Sequence, residues 1–507
     1  MSEDARTRRQ PAVGARGVAL AVLDEHRRTG QFVAPLLDAQ ASAAELSPAD
    51  RRFALELVNG IVRRRSTLDA LLQPHVRRPR REVEDRLWTI LQLGAYQLAL
   101  LDSVPAHAAV HETVELARTA GEPRWAGFVN GVLRAVARTV TAEFTDRPAA
   151  DAVPMTVGRI AEPSAVGQAF QPAGDSPAES ARADMDVRPT EAEGTGDPSH
   201  GRYRRLTLPV FPDPAADPAG HFARAFSFPP WLVRRWTARY PFEKLLTLGF
   251  RFDSPPPIVL RVNRLRTSRD KFLDALRNAG IDAEPGAHEA AVRLTGPARI
   301  DALPGYAEGQ FSVQDESAMA VCDLLDPRPG ETVLDLCAAP GTKTTYLAEL
   351  MDDAGAIVAT DVGPERLALV EENVHRLRLA SITTRTIERD GRDIPAGPFD
   401  AVLLDAPCSN TGVLGRRPEA RWRLKPEDLR ELPALQARLL GDALARLKPG
   451  GRAVYSTCSI EPEENDEVVR NVLAERPEFE LVAEHHPFPG DPADGGYRAL
   501  LRACESA

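Results

Sequence analysis

Residues 330–361 read GETVLDLCAAPGTKTTYLAELMDDAGAIVATD. An apolar, β-rich run (Val333, Leu334, Leu336) enters a loop of small residues, and a helical stretch follows. A second apolar run then ends at Thr360-Asp361-Val362. The rhythm returns in ITTRTIERDGRD (382–393), FDAVLLDAPCS (399–409) and AVYSTCS (453–459), with helical stretches between them. Repeated strand–loop–helix units predict an open, mainly parallel α/β sheet whose ligands lie along the carboxyl edge of the strands.

The strand ends carry the chemistry. In the first loop, Cys337, Ala338, Ala339, Pro340, Gly341, Thr342 and Lys343 are mostly small enough for backbone to approach a ligand, and the helix start offers free N–H groups. The run is neither G-x-G-x-x-G nor G-x-x-x-x-G-K-[ST], which argues against dinucleotide and nucleoside-triphosphate phosphate sites. Asp361, closing the second strand, suits the two ribose hydroxyls of an adenosine-type ligand. Asp390 follows the third strand and is placed to accept from an adenine amino group, although Asp-Gly is also a turn pair. Two later ends carry cysteines, in Asp405-Ala406-Pro407-Cys408-Ser409 and Thr457-Cys458-Ser459. Cys322, Cys337 and Cys504 read as small buried apolar residues, whereas polar, loop-like surroundings set Cys408 and Cys458 apart. There is no C-x-x-C and no histidine at ligand spacing, so no metal site is expected.

A methyl donor, an acid and two thiols answer one chemical problem. Cytosine C5 is too weak a nucleophile to take a methyl group directly. A thiolate adding at C6 makes C5 enamine-like and divides the reaction into two easier steps. An aspartic acid protonating or hydrogen-bonding N3 favours that addition. The C5 proton and the thiol must afterwards leave, and a second thiol is a helper for that release. The attacking thiol must fall below its free pKa of about 8.5, which an electropositive cleft achieves.

Outward from this half, residues 14–138 carry apolar positions at spacings of three and four, with Ser47-Pro48 as cap and first turn. They predict an all-α bundle of about six or seven short helices. Arginines cluster at 51–52, 63–65, 77–78 and 80–81 with no lysine among them, which favours bidentate phosphate contact over a merely solvated face. Residues 140–205 are read as a disordered Pro/Ala/acidic insertion. Within 141–200, eleven acids face four arginines, so the chain's net charge of −10 says little about the rest. Residues 220–315 read as a small α+β unit, with Trp231 and Trp236 beside Arg234 and Arg235, and Arg261, Arg264 and Arg266 around Asn263. This fits a surface for looped or single-stranded RNA. The catalytic unit is read as 316–504.

The chain has 507 residues and 43% apolar content, enough for several packed cores. No stretch approaches the ~18 apolar residues of a spanning helix. Five cysteines form no disulfide framework, and the charged start lacks a secretory core, so a cytoplasmic protein is expected.

VLDLCAAPGTKT, LLDAPCSNTGV and YSTCSIEPEEN resemble the motifs of the NOL1/NOP2/Sun RNA 5-methylcytosine methyltransferases, and the helical front resembles NusB-type RNA-binding domains. FSFPPWLVRRW, LRVN, FSVQDESA and DGGY are similar to further parts of the family. The likeness covers about 14–138 and 222–502. It implies a Rossmann-like catalytic domain using S-adenosyl-L-methionine, held by residues 337–343, Asp361, Asp390 and Asp405. It also implies Cys458 as the nucleophile, Cys408 as the release helper and Asp405 facing the base, the reverse of DNA cytosine methyltransferases. Thr342 departs from the family, which more often has glycine there. The pairing of front and catalytic halves implies 16S rRNA as partner, met as a stem–loop before subunit assembly by a monomer without metal or membrane. The same chemistry on tRNA, and a non-catalytic RNA-binding assembly or antitermination factor, are the alternatives.

Overall fold

The structure is a computed structural model describing residues 14–120, 122–156, 201–296, 298–389, 391–490 and 493–504. The chain divides into two units, one ending at Ser227 and one starting at Phe228. No helix among the described residues is long and apolar enough to cross a membrane.

In the first unit, seven α-helices run from Ala15–Thr29 to Trp125–Thr139 among the described residues. The helix Asp85–Leu100 is buried all round, from Leu87 to Ala99, and forms the centre of the bundle. Each large apolar side chain buried there contributes roughly 1.5–3 kcal/mol. A Cβ on its Gly94 would lie 2.4 Å from the Leu133 side chain, so only glycine lets Trp125–Thr139 pack so close. Ser47 caps Pro48–Arg63 by accepting from the Asp50 N–H, as the Ser-Pro pair predicts.

The arginine clusters divide. Arg52, Arg65, Arg77, Arg78 and Arg81 are exposed, but Arg64 is buried. Arg51 pairs with Asp38, and Arg80 pairs with Asp85 and lies over the Trp88 ring. Arg64 is the junction residue between the helices Pro48–Arg63 and Arg65–Leu72 and is buried there, so it is no phosphate contact.

The insertion is shorter than 140–205. Val140–Thr145, Arg202–Leu206 and Ala152–Met155 form a three-stranded antiparallel sheet in that spatial order. Ala152, Val153, Met155, Tyr203 and Leu206 are buried, and the surrounding proline and acid hide these short apolar runs in the sequence. Residues 157–200 lie outside the described residues. The helix Pro218–Ala225, most of which the sequence reading places in the 220–315 unit, packs in the first unit instead, with Thr67 Oγ1 donating to the Ala225 carbonyl at 2.8 Å. Because Met155 pairs with Arg202, the chain leaves and re-enters at neighbouring points. Replacing 157–200 by a two-residue Asn-Gly turn is therefore expected to preserve the melting temperature and the activity that the resemblance implies. Calorimetry and an activity assay check this, and loss of soluble protein would refute it.

The second unit opens with the helices Pro230–Thr237 and Phe242–Asp253. An antiparallel sheet follows, in spatial order Ala283–Pro285, Ala291–Leu294, Ile258–Val262, Phe311–Val313. Phe272 and Leu276 of the helix Arg269–Asn278 seal its core with Leu260, Val292 and Phe311.

The large sheet has seven strands in the order Ile382–Thr386, Ala356–Asp361, Thr332–Asp335, Phe399–Asp405, Leu447–Thr457, Tyr497–Ala503, Phe479–His485. The first five are parallel, and Tyr497–Ala503 runs antiparallel to both neighbours. Strand order reverses beside Thr332–Asp335, the position at which open α/β sheets form a ligand crevice.

Candidate active site

Register aligns the predicted residues along one edge. Leu403 pairs with Asp335, and Asp405 with Ser456. A cavity of about 720 Å³ opens there, lined by Asp335, residues 337–340, Thr342, Lys343, Asp361, Asp405, Cys408 and Cys458.

The first loop is a small cradle. Ala338 N–H donates to the Thr360 carbonyl (2.9 Å) and Gly341 N–H to the Ala338 carbonyl (2.7 Å). Gly341 has φ +96°, and a Cβ there would sit 3.0 Å from Val370. The helix Thr342–Leu350 starts immediately after it. Thr342, the departure from the family pattern, lines the cavity. Asp361 is buried; its Oδ2 accepts from Ala339 N–H at 3.2 Å, and its Oδ1 lies 3.1 Å from Arg366. Asp390 lies outside the described residues.

Asp335, by sequence only the strand end before the loop, belongs to the site. It is wholly buried; Oδ2 accepts from Thr344 Oγ1 at 2.7 Å, while Oδ1 has no hydrogen-bond partner among the described residues. Burial pushes its carboxyl up to about 7. An unsatisfied buried acceptor lining a cavity asks for a donor, so this acceptor fits a ligand that brings ammonium or hydroxyl groups.

Asp405 is held from two sides, by Lys343 Nζ on Oδ2 (2.6 Å) and Ser456 Oγ on Oδ1 (2.7 Å). Burial pulls the Lys343 ammonium down, but the Asp405 carboxylate more than offsets this, and Lys343 ends above its ordinary range. Sequence places Lys343 only in the cofactor loop and misses this pair, which the parallel alignment of two distant strands creates.

Cys408 and Cys458 face each other with Sγ atoms 3.1 Å apart. Cys458 Sγ also donates to Asn410 Oδ1 at 3.3 Å. The Cys408 thiol is held well above the ordinary range, first by its contact with Cys458 and then by burial. Gly412 lets the two loops close: its N–H donates to the Cys458 carbonyl at 2.9 Å, and a Cβ would lie 2.3 Å from the Gly495 carbonyl oxygen. Cys322 is buried, as expected, and Cys337 is half-buried beside the cavity. Cys504, read as buried, is exposed, one residue past the strand Tyr497–Ala503.

The middle region supports this edge from behind. Arg261 is fully buried, not an RNA contact. Its guanidinium donates to Glu349 (2.7 Å), to the Thr342 carbonyl (2.7 Å) and to Gln314, and stacks on Tyr346. Trp236 is likewise core, donating to Glu461 at 2.8 Å, while Arg235 pairs with Glu461 and Glu463. Both readings fail for one reason: strand alternation and helix period turn these side chains inward, and the carboxylates receiving them lie far along the chain. Arg234 and Arg264 are exposed.

Comparison with known proteins agrees with this architecture. A family described as 16S rRNA methyltransferase RsmB/F matches residues 322–493, the NusB family matches 14–138, and an RsmF/B-like ferredoxin-like domain matches 228–301. A probable ribosomal RNA small subunit methyltransferase B of Bacillus subtilis (strain 168) is 32% identical over 92% of this chain and 89% of its own length. The ribosomal RNA small subunit methyltransferase B of Serratia proteamaculans (strain 568) is 33% identical over 96% of this chain and 98% of its own. The crystal structure of PH0851 shares the fold, with TM-score 0.70 and 22% identity over 98% of this chain and 99% of its own. A methyltransferase homologue from Pyrococcus horikoshii reaches TM-score 0.50 at 29% identity over 56% of this chain and 97% of its own. With its NusB-type front, ferredoxin-like middle and strand-edge cavity, the chain belongs to the ribosomal RNA small subunit methyltransferase B family.

Proposed function

We propose that the protein forms 5-methylcytosine at one cytosine of 16S rRNA, with S-adenosyl-L-methionine as methyl donor and Cys458 bonded transiently to C6. The observation that carries this reading is the pair of thiols 3.1 Å apart beside a lysine-held aspartate, in the cavity that also contains the small-residue loop. S-adenosyl-L-methionine, when bound, supplies an electrophilic methyl group. The loop 337–343, Asp335 and Asp361 would hold it. A solved relative from Pyrococcus horikoshii, named NSun6, carries SFG, and the fit at Asp335 and Asp361 is consistent with such a ligand.

The remaining work falls to side chains. Cys458 adds to C6. Asp405, whose carboxylate accepts from the Lys343 ammonium, relays that ammonium's proton to N3 as the ring gains charge. Cys408 keeps its proton at neutral pH and stands beside the sulfur that must later leave. Because both thiol and methyl must reach one ring, the cytosine has to leave its stack. The helical front would dock the RNA stem, and the exposed Arg234 and Arg264 would help present the loop.

Asp405→Asn keeps the size of the side chain but loses the carboxylate that holds Lys343 and passes its proton on. Methyl transfer is expected to fall by roughly 10²- to 10⁴-fold, the scale of a positioned acid. Adduct formation on 5-fluorocytosine RNA should fall with it, because the acid assists the addition itself; full adduct formation would exclude this role. The function as a whole is tested by bisulfite mapping of 16S rRNA and tRNA with and without the gene. A protein-dependent mark confined to tRNA would transfer the same chemistry to the other substrate.

A further inference from the structure

Cys408 and Cys458 are each followed by serine, and the two dipeptides stand fifty residues apart. In the fold their hydroxyls meet, Ser409 Oγ lying 3.1 Å from Ser459 Oγ. Both donate to the same oxygen, Oε2 of Glu464. Its Oε1 accepts from Ser409 N–H at 2.8 Å and from Gln436 Nε2 at 3.1 Å. Gln436 also donates to the Pro407 carbonyl, at 2.9 Å, just before Cys408. Thr411 ties the same two loops, its Oγ1 lying 3.1 Å from Ser459 Oγ and accepting from Ile460 N–H at 3.0 Å. Glu464 is fully buried and does not line the cavity, so it touches no substrate. Burial lifts its carboxyl above the ordinary range, opposed by the serine and glutamine donors. A group placed at that cost, with donors on both oxygens, holds geometry.

We infer that Glu464 is a positioning residue that keeps the two catalytic thiols in register by pinning the serine beside each. The inference rests on the roles proposed above for Cys458 and Cys408. Attack on the base needs one thiol, whereas release needs two in contact. Loosening the register therefore slows release more than attack.

The test reads the register directly. Diamide converts two neighbouring thiols to a disulfide and takes up their two electrons and two protons as the hydrazine. Peptide mapping of the full chain measures the rate of the Cys408–Cys458 link without RNA or methyl donor. Glu464→Gln and the double variant Ser409→Ala/Ser459→Ala are expected to form the link about ten- to a hundredfold more slowly, the scale of a misplacement near 1 Å. Ser459→Thr keeps the hydroxyl and should restore the rate. With RNA and donor present, Glu464→Gln should accumulate the covalent protein–RNA species. Should Glu464→Gln fail to fold, the double serine variant, which leaves Gln436 and a backbone N–H on the carboxylate, decides alone. Unchanged disulfide rates, or equal loss of adduct formation and release, would overturn the inference. A wild-type chain that closes the disulfide fast but captures no RNA would sink the covalent mechanism while leaving the thiol register intact.

Discussion

Cys458→Ala is expected to abolish methyl transfer to 16S rRNA, by roughly 10⁴- to 10⁶-fold, the scale seen when a covalent nucleophile is removed. The substitution deletes one half-buried sulfur whose contacts are Cys408 Sγ and Asn410 Oδ1. The backbone around it stays tied, since its carbonyl accepts from Gly412 N–H and Ser459 is held by Glu464. A fold change therefore cannot account for the loss, and an unchanged melting temperature should accompany it. Without the thiol, C5 never becomes enamine-like, and a well-placed methyl donor meets an unreactive carbon. The measurement is transfer of tritiated methyl from S-adenosyl-L-methionine to a 16S transcript. A 5-fluorocytosine transcript adds a second readout, trapped by the wild-type chain and free of the variant. The competing assignment gives attack to Cys408, and under it Cys458→Ala would still form the trapped species. Either retained turnover or a retained trap would remove Cys458 from its role.

The sheet and its edge are legible because parallel strands write their ends into the sequence. Each apolar run stops at or just before a residue that lines the cavity, so Asp361, Asp405, Cys408 and Cys458 can be taken in order from a single pass. The partners that hold those residues are not legible. Lys343 meets Asp405 across two strands, Arg261 reaches Glu349 from another sheet, and Glu464 gathers two serines from loops fifty residues apart. Such pairings depend on which strands become neighbours, and hydrophobic period carries no trace of them. For the same reason a buried arginine and an exposed one look alike in a basic run, and Arg64 and Arg261 read as outward when they point in. The sheet at 140–155 and 202–206 escapes because its short strands are separated by a proline- and acid-rich stretch that dominates local composition.

Cys408→Ala is expected to fail at the other end of the reaction. Attack by Cys458 and methylation proceed, because neither needs a second sulfur, and the complex then cannot dissolve. A protein–RNA species stable to denaturing gels should accumulate in the presence of methyl donor, while multiple turnover falls by roughly 10²- to 10⁴-fold, as for loss of a positioned proton carrier. The geometry supports this division. Cys408 sits on the loop after the strand that carries Asp405, its sulfur touches that of Cys458, and its proton is retained by that contact and by burial. A protonated thiol beside the departing sulfur suits assistance of departure, not attack. The accumulated species should contain one methyl group per RNA, which mass spectrometry of the digested adduct resolves. An unmethylated adduct would place the block before methyl transfer and give Cys408 an earlier duty. Absence of any adduct, with turnover lost, would instead make Cys408 the attacking group and invert the two roles.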